Sequence, residues 1–195
     1  MKHLLLTTIA AVVLVGCGES QQSAPAPEAQ PVEPVAEAAK PEPPTAKAPA
    51  ISIHDAAKKG NIEAVKQHIA AGTNVNMKNQ NEMTPLHKAA QYGRREVAEL
   101  LITKGADVNA KNVYEETPLH YAAYQSSVEV AELLIANGAD INAKRGNGQT
   151  PIDAAKNAKS PFKESPKEKA AKKEIIDLFR KHGGKTGEEL KAEGK

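Results

Sequence analysis

Residues 84–116 read TPLHKAAQYGRREVAELLITKGADVNAKNVYEE, and residues 117–149 read TPLHYAAYQSSVEVAELLIANGADINAKRGNGQ. The step between them is 33 residues, and it recurs along the chain. Thr84, Thr117 and Thr150 keep it, as do Gly72, Gly105 and Gly138, and so do His54, His87, His120 and Asp153. Self-similarity at a fixed period of this length confines the chain to a stacked-repeat architecture. One such unit cannot bury its apolar face alone, so each unit depends on its neighbours for a core.

The residues inside the period predict two helices per unit. Thr at the start suits an N-cap, whose hydroxyl accepts a bond from a free N–H of the first turn. Pro85, Pro118 and Pro151 follow at the first helical position, where no N–H is needed and φ is already correct. Leu86 and Leu119 point inward, and the pairs Ala89-Ala90 and Ala122-Ala123 let neighbouring helices approach closely. The second helix carries Val97, Leu100 and Leu101, then Val130, Leu133 and Leu134, at helical spacing. Leu100 and Leu133 are expected at central seams. Gly105 and Gly138 stand where a left-handed residue stops that helix. Aromatic residues make up 3% of the chain and Trp is absent, so Ala, Leu, Ile and Val must build the core.

The TPLH…AA…E(V/I)…LL…GAD(V/I)NA pattern resembles the ankyrin repeat. The resemblance implies an all-α solenoid of stacked helix–turn–helix units with hairpin-like loops. It covers a domain at 51–195, with repeats at about 51–83, 84–116, 117–149 and 150–184 and a tail at 185–195. The first repeat is degenerate, and Lys58, Lys59, Lys66 and Gln67 give it the polar side of a terminal cap. In the fourth, the glutamate matching Glu96 and Glu129 falls at Glu174. About 12 residues are therefore inserted around 160–171, and SPFKESPKEKAA reads as a solvated loop. In the tail, Thr186 and Glu189 could form a capping box on a short helix. The family usually places Gly two residues before the TPLH Thr. Here Glu82 and Glu115 hold that place and only Gly148 conforms, so the first two turns are expected to take another shape. Ser126 likewise replaces the Gly between helices that Gly60 and Gly93 supply.

The N-terminus points to export. Residues 1–16 place Lys2 before the apolar run LLLTTIAAVVLV, too short to span a bilayer as a permanent helix. Leu14, Val15, Gly16 and Cys17 resemble the lipobox of bacterial lipoproteins, which implies cleavage before Cys17 and its lipidation. An ordinary secretory signal, or a buried helix with a chance Cys, is the plainer alternative. The single Cys of the chain excludes an internal disulfide framework. Residues 17–50 then form a Pro-, Ala- and Glu-rich tether without apolar periodicity. Gly18 follows the Cys where the enterobacterial version of that family uses Asp for inner-membrane retention, which favours an outer membrane facing the periplasm.

No catalytic constellation, cofactor motif or metal-ligand set stands out. The resemblance assigns the TPLH histidines to backbone hydrogen bonds that tie adjacent repeats together. Asp107, Asp140, Asn109 and Asn142 read as loop formers rather than calcium ligands. The expectation is a monomeric, non-enzymatic scaffold that binds another protein of the cell envelope, with no cofactor, no metal and no nucleic acid. In ankyrin proteins partners dock on the concave face of hairpin tips and first helices. The matching positions are Gln80, Asn81, Met83, Gln91 and Tyr92 in repeat two. In repeat three they are Val113, Tyr114, Glu116, Tyr124 and Gln125, and in repeat four Asn147 and Gln149. Tyr favours interfaces because it buries area with little entropy loss. Some of these residues could instead cover seams between repeats, a place also open to the adjacent Tyr121. The alternative function is an envelope spacer. Residues 156–195 carry 12 Lys or Arg against 7 acids, a surplus that could contact anionic cell-wall or lipid polymers.

Overall fold

Every Thr-Pro of the repeat begins a helix. In the computed structural model, which describes residues 49–158 and 165–194, α3 (Pro85–Gln91), α5 (Pro118–Tyr124) and α7 (Pro151–Asn157) start at the proline, with Thr84, Thr117 and Thr150 as N-caps. Ser52 caps the equivalent α1 (Ile53–Lys59). The partners in each pair are α2 (Ile62–Ala70), α4 (Arg95–Thr103), α6 (Val128–Ala136) and α8 (Pro166–Lys181), and α9 (Gly187–Ala192) ends the described chain. The chain divides into two units, residues 1–41 and 42–195, and all described residues belong to the second. The expected signal, Cys17 and most of the expected tether lie outside the described residues.

The helices form two layers. First helices stack in the order α1, α3, α5, α7, and second helices stack as α2, α4, α6, α8. Ala56, Ala57, Ala89, Ala90, Ala122, Ala123, Ala154 and Ala155 lie between the layers, all fully buried, so the first helices approach closely. Leu86, Leu119 and Ile152 fill the inner layer, and Leu101, Leu134, Ile175 and Phe179 the outer one. The seam residues differ from the expectation. Leu101 and Leu134 are the fully buried leucines, whereas Leu100 and Leu133 are half-buried and pack against the core edge. At 100° per residue, the adjacent position rather than the predicted one faces the stack.

Hydrogen bonds between repeats repeat with the sequence. Asn76 donates from Nδ2 to the Gly105 carbonyl at 3.0 Å and accepts from the Asp107 N–H at 2.8 Å. Asn109 does the same to Gly138 and Asp140, at 3.0 and 2.8 Å. Asn142 does it to Gly183 and Lys185, at 3.2 and 2.8 Å. The last clamp spans 12 residues more than the others, so the insert has the expected length. Its form is different. Residues 166–171 are helical, because Ser165 and Glu168 make a capping box around Pro166 and start α8 a full two turns early.

The hairpins also correct an expectation. Glu82 and Glu115 do adopt the left-handed conformation, at φ 55° and 60°, alongside Gly148 at 80°. The turns therefore share one shape. In the first two, an asparagine holds it: Asn79 Oδ1 accepts from the N–H groups of Asn81 and Met83, and Asn112 Oδ1 from those of Tyr114 and Glu116. Lys78 and Lys111 pair with the two strained glutamates at 3.1 and 3.6 Å. Arg145 replaces that asparagine in the third hairpin, and there the strained place belongs to Gly. Ser126 is left-handed as well, at φ 51°. Its counterpart Gly93 is held to glycine twice over, since a Cβ there would sit 3.1 Å from Ser127 Oγ of the next repeat.

The tail closes the stack. Thr186 and Glu189 form the expected capping box, with N–H to carboxylate at 2.8 Å and N–H to hydroxyl at 3.2 Å. Gly187 approaches so closely that a Cβ would meet the Gly148 carbonyl at 2.1 Å. Arg180 holds Glu189 in a two-bond pair at 2.7 Å.

Candidate functional site

The TPLH histidines are built into the stack. His87 Nε2 faces the Glu116 carbonyl at 3.0 Å, and its Nδ1 faces the Thr84 N–H at 3.1 Å. A carbonyl only accepts and an N–H only donates, so the ring is neutral with its proton on Nε2. His120 repeats the arrangement with Gln149 and Thr117, at 3.4 and 3.2 Å, and His54 reaches the Met83 carbonyl at 2.9 Å. Each Nε2 bond ends on the residue just before the threonine that opens the next repeat, at the junction the resemblance implied. Burial lowers the pKa of His87 and of His120 to about 4. Asp153 takes the role in repeat four, accepting from the Thr150 and Gly187 N–H groups at 3.0 and 2.7 Å. His68 is also buried, with Nε2 at 2.7 Å from the Ile51 carbonyl. The GADxNA aspartates act as turn formers: Asp107 and Asp140 accept from the N–H groups of Asn109 and Asn142.

The candidate contact residues divide by burial. Gln80, Asn81, Tyr92, Val113, Tyr114, Gln125 and Asn147 are exposed, and Gln91 and Gln149 are half-buried. Met83 and Glu116 are corrections. Both are buried, at 4% and 7% exposure, and both offer their carbonyls to the histidine 29 residues earlier. Tyr124 is half-buried and committed to a network inside the domain. The exposed large apolar side chains among the described residues are Met77, Tyr92, Val113 and Tyr114, and Tyr114 is the most open at 67%. All four lie on the hairpins or at the end of a first helix. A shallow groove of about 290 Å³ runs between repeats two and three, lined by Gln91, Tyr92, Gly93, Gln125 and Ser127.

The network centres on Arg145. Its Nη1 donates to Glu116 Oε1 at 2.7 Å and to the Tyr124 hydroxyl at 3.1 Å, and Nη2 donates to Gln149. The guanidinium also stands 5.8 Å from the Tyr124 ring centroid. Asn112 Nδ2 donates to the Tyr121 hydroxyl at 2.9 Å and lies 3.4 Å from Glu116 Oε2. Burial alone would raise the pKa of Glu116. Hydrogen bonds from Tyr121, Arg145 and Asn112 outweigh it and hold the carboxyl below its ordinary value. Tyr121 packs edge-on against His87, with centroids 5.9 Å apart, so it lies in a seam between repeats. This polar seam ties the hairpin of residues 112–116 to that of residues 145–149. Its sequence signal is the break from AKN to AKR, where Arg145 departs from Asn79 and Asn112.

Among the described residues no group of His, Cys, Asp and Glu is arranged to hold a metal, and no helix is long and apolar enough to cross a membrane. Residues 53–145 match the family model for ankyrin repeats, in three copies. Repeats of this kind are typically protein-interaction scaffolds without chemistry of their own. No curated protein matches the chain. The helix pairs of residues 53–145, and the fourth pair stacked on them in the same order, form an ankyrin-repeat solenoid.

Proposed function

We propose that the protein is a lipid-anchored scaffold of the bacterial cell envelope that holds or inhibits another envelope protein through the face made by its hairpins and first helices. The observation that carries this reading is the placement of the exposed apolar side chains. Met77, Tyr92, Val113 and Tyr114 all belong to that face, while the exposed surface of the second helices carries none of comparable size. Exposed aromatic residues on a rigid frame supply contact area at small entropic cost. The lipobox-like segment ending at Cys17 and the Pro-rich stretch after it support display from a membrane. A chain of that composition extends by about 3.1 Å per residue and gives the solenoid reach.

The test is a crosslinking pull-down from envelope extract with the full chain, run beside Tyr114→Ala. Recovery of one protein by the wild type and its loss with the variant supports the reading. A spacer role is the second reading, favoured by the exposed basic start of α8 with Lys167, Lys169 and Lys173. It predicts instead that anionic polymer is recovered and that 0.5 M salt releases it. Lys167→Glu with Lys169→Glu and Lys173→Glu would then abolish recovery.

A further inference from the structure

We infer that the partner presents an acidic polypeptide stretch, which lies across the ends of α1, α3 and α5 where Lys58, Lys59, Lys88 and Arg94 surround Tyr92. The inference rests on the protein-binding reading above and names the chemistry of the partner.

Contacts fix Lys58, Lys88 and Arg94, and the repeat period places Lys59. Lys58 Nζ stands 5.3 Å from the Tyr92 ring centroid. Arg94 packs its aliphatic stem over Gly60 and donates from Nε to the Lys58 carbonyl at 3.1 Å. Lys88 lies one turn before Tyr92 on α3, and its Nζ reaches Gln91 Oε1 at 3.2 Å. Lys59 occupies the place in repeat one that Tyr92 occupies in repeat two.

Two features separate this patch from ordinary surface charge. Elsewhere on the same face the cations carry their own counter-charges: Lys78 has Glu82, Lys111 has Glu115 and Arg145 has Glu116. None of the four cations around Tyr92 lies within 4.0 Å of a carboxylate among the described residues. Lysine at the end of a helix is favoured by the dipole, which accounts for its tolerance there. The dipole of α1 also accounts for Arg94, whose Nε meets a carbonyl in the last turn of that helix, but it does not account for an exposed tyrosine at the centre of the cluster. Neighbouring cations without counter-charges repel one another, and an acidic partner removes that repulsion.

The adjoining groove decides between a polypeptide and a simple polyanion. Gln91 and Gln125 each offer an amide that both donates and accepts, and Ser127 adds a hydroxyl. That set matches the alternating N–H and C=O groups of a peptide backbone. A sulfated or phosphorylated polymer has acceptors but few donors to offer it.

The experiment is fluorescence anisotropy of the full chain with a labelled dodecapeptide of alternating Glu and Ala, beside its Gln counterpart and dextran sulfate. Binding of the Glu peptide, at least tenfold tighter than the Gln peptide, is expected. Lys58→Glu with Lys59→Glu and Lys88→Glu should weaken it more than tenfold, and Tyr92→Ala at least threefold. The matched α8 variant, Lys167→Glu with Lys169→Glu and Lys173→Glu, should stay within twofold. Equal loss in the two triple variants, no preference for the Glu peptide, or dextran sulfate bound more tightly than the Glu peptide would overturn the inference. Circular dichroism confirms that each variant remains folded. A protein still captured by the Lys58/Lys59/Lys88 variant but lost with Tyr114→Ala would overturn the acidic-stretch inference and leave the protein-binding reading standing.

Discussion

His87 and His120 make the solenoid sensitive to acid. Each ring donates from Nε2 to the carbonyl just before the next repeat's threonine and accepts at Nδ1 from a threonine N–H. A second proton would set N–H against N–H and break the helix start. Both residues have a pKa of about 4 in the folded chain against an ordinary 6.5. The unfolded chain therefore binds protons first as pH falls. Stability from this source is complete above pH 6.5 and declines between pH 6.5 and about 4, by about 3 kcal/mol per histidine. Urea midpoints measured from pH 7 to pH 4 should fall steadily, and His87→Gln should flatten the profile. Ser126 is a second residue whose cost is visible. A non-glycine left-handed residue costs about 1–3 kcal/mol, and glycine returns part of that gain through unfolded-chain entropy. Ser126→Gly should raise stability by about 0.5–1 kcal/mol, read as a shift in the urea midpoint at constant slope.

At the scale of elements, the repeats are joined by small and equivalent devices. The clamp from Asn109 to Gly138 and Asp140 is one of three in register. Asn109→Ala removes two bonds worth about 0.5–1.5 kcal/mol each. A loss of about 1–3 kcal/mol and faster exchange of the Asp140 amide should follow. Three of the first helices, α3, α5 and α7, were legible in the sequence because Thr-Pro marks their starts. The start of α8 was not, although Ser165, Pro166 and Glu168 carry the same kind of signal. Counting from Glu96 and Glu129 places the start later, and only the fold shows that the insert lengthens the helix rather than the loop. The conformation of Glu82 and Glu115 was hidden for another reason. Backbone strain argues against glutamate there, and the asparagine that offsets it acts through its side chain three residues away.

For the whole molecule, the core is one continuous stack and has few independent parts. Leu101→Ala lies at full burial in the middle of it and should cost about 2–5 kcal/mol. Leu100→Ala, half-buried beside it, should cost clearly less, and thermal melts of the two variants in parallel check the assignment. The contact face was only partly legible. Hairpin-tip positions such as Tyr114 follow from the period alone. Glu116 and Tyr124 keep the same period, yet Arg145, 29 and 21 residues further on, draws them inward, a pairing that spacing cannot reveal. The most direct measurement is photo-crosslinking in cells from a benzophenone side chain placed at position 92, 114, 99 or 132 of the full chain. Positions 92 and 114 lie on the proposed contact face, and positions 99 and 132 are exposed on the second helices. The account predicts one discrete protein adduct from 92 and 114 and none from 99 and 132. Adducts formed equally from all four positions, or from none, would contradict it.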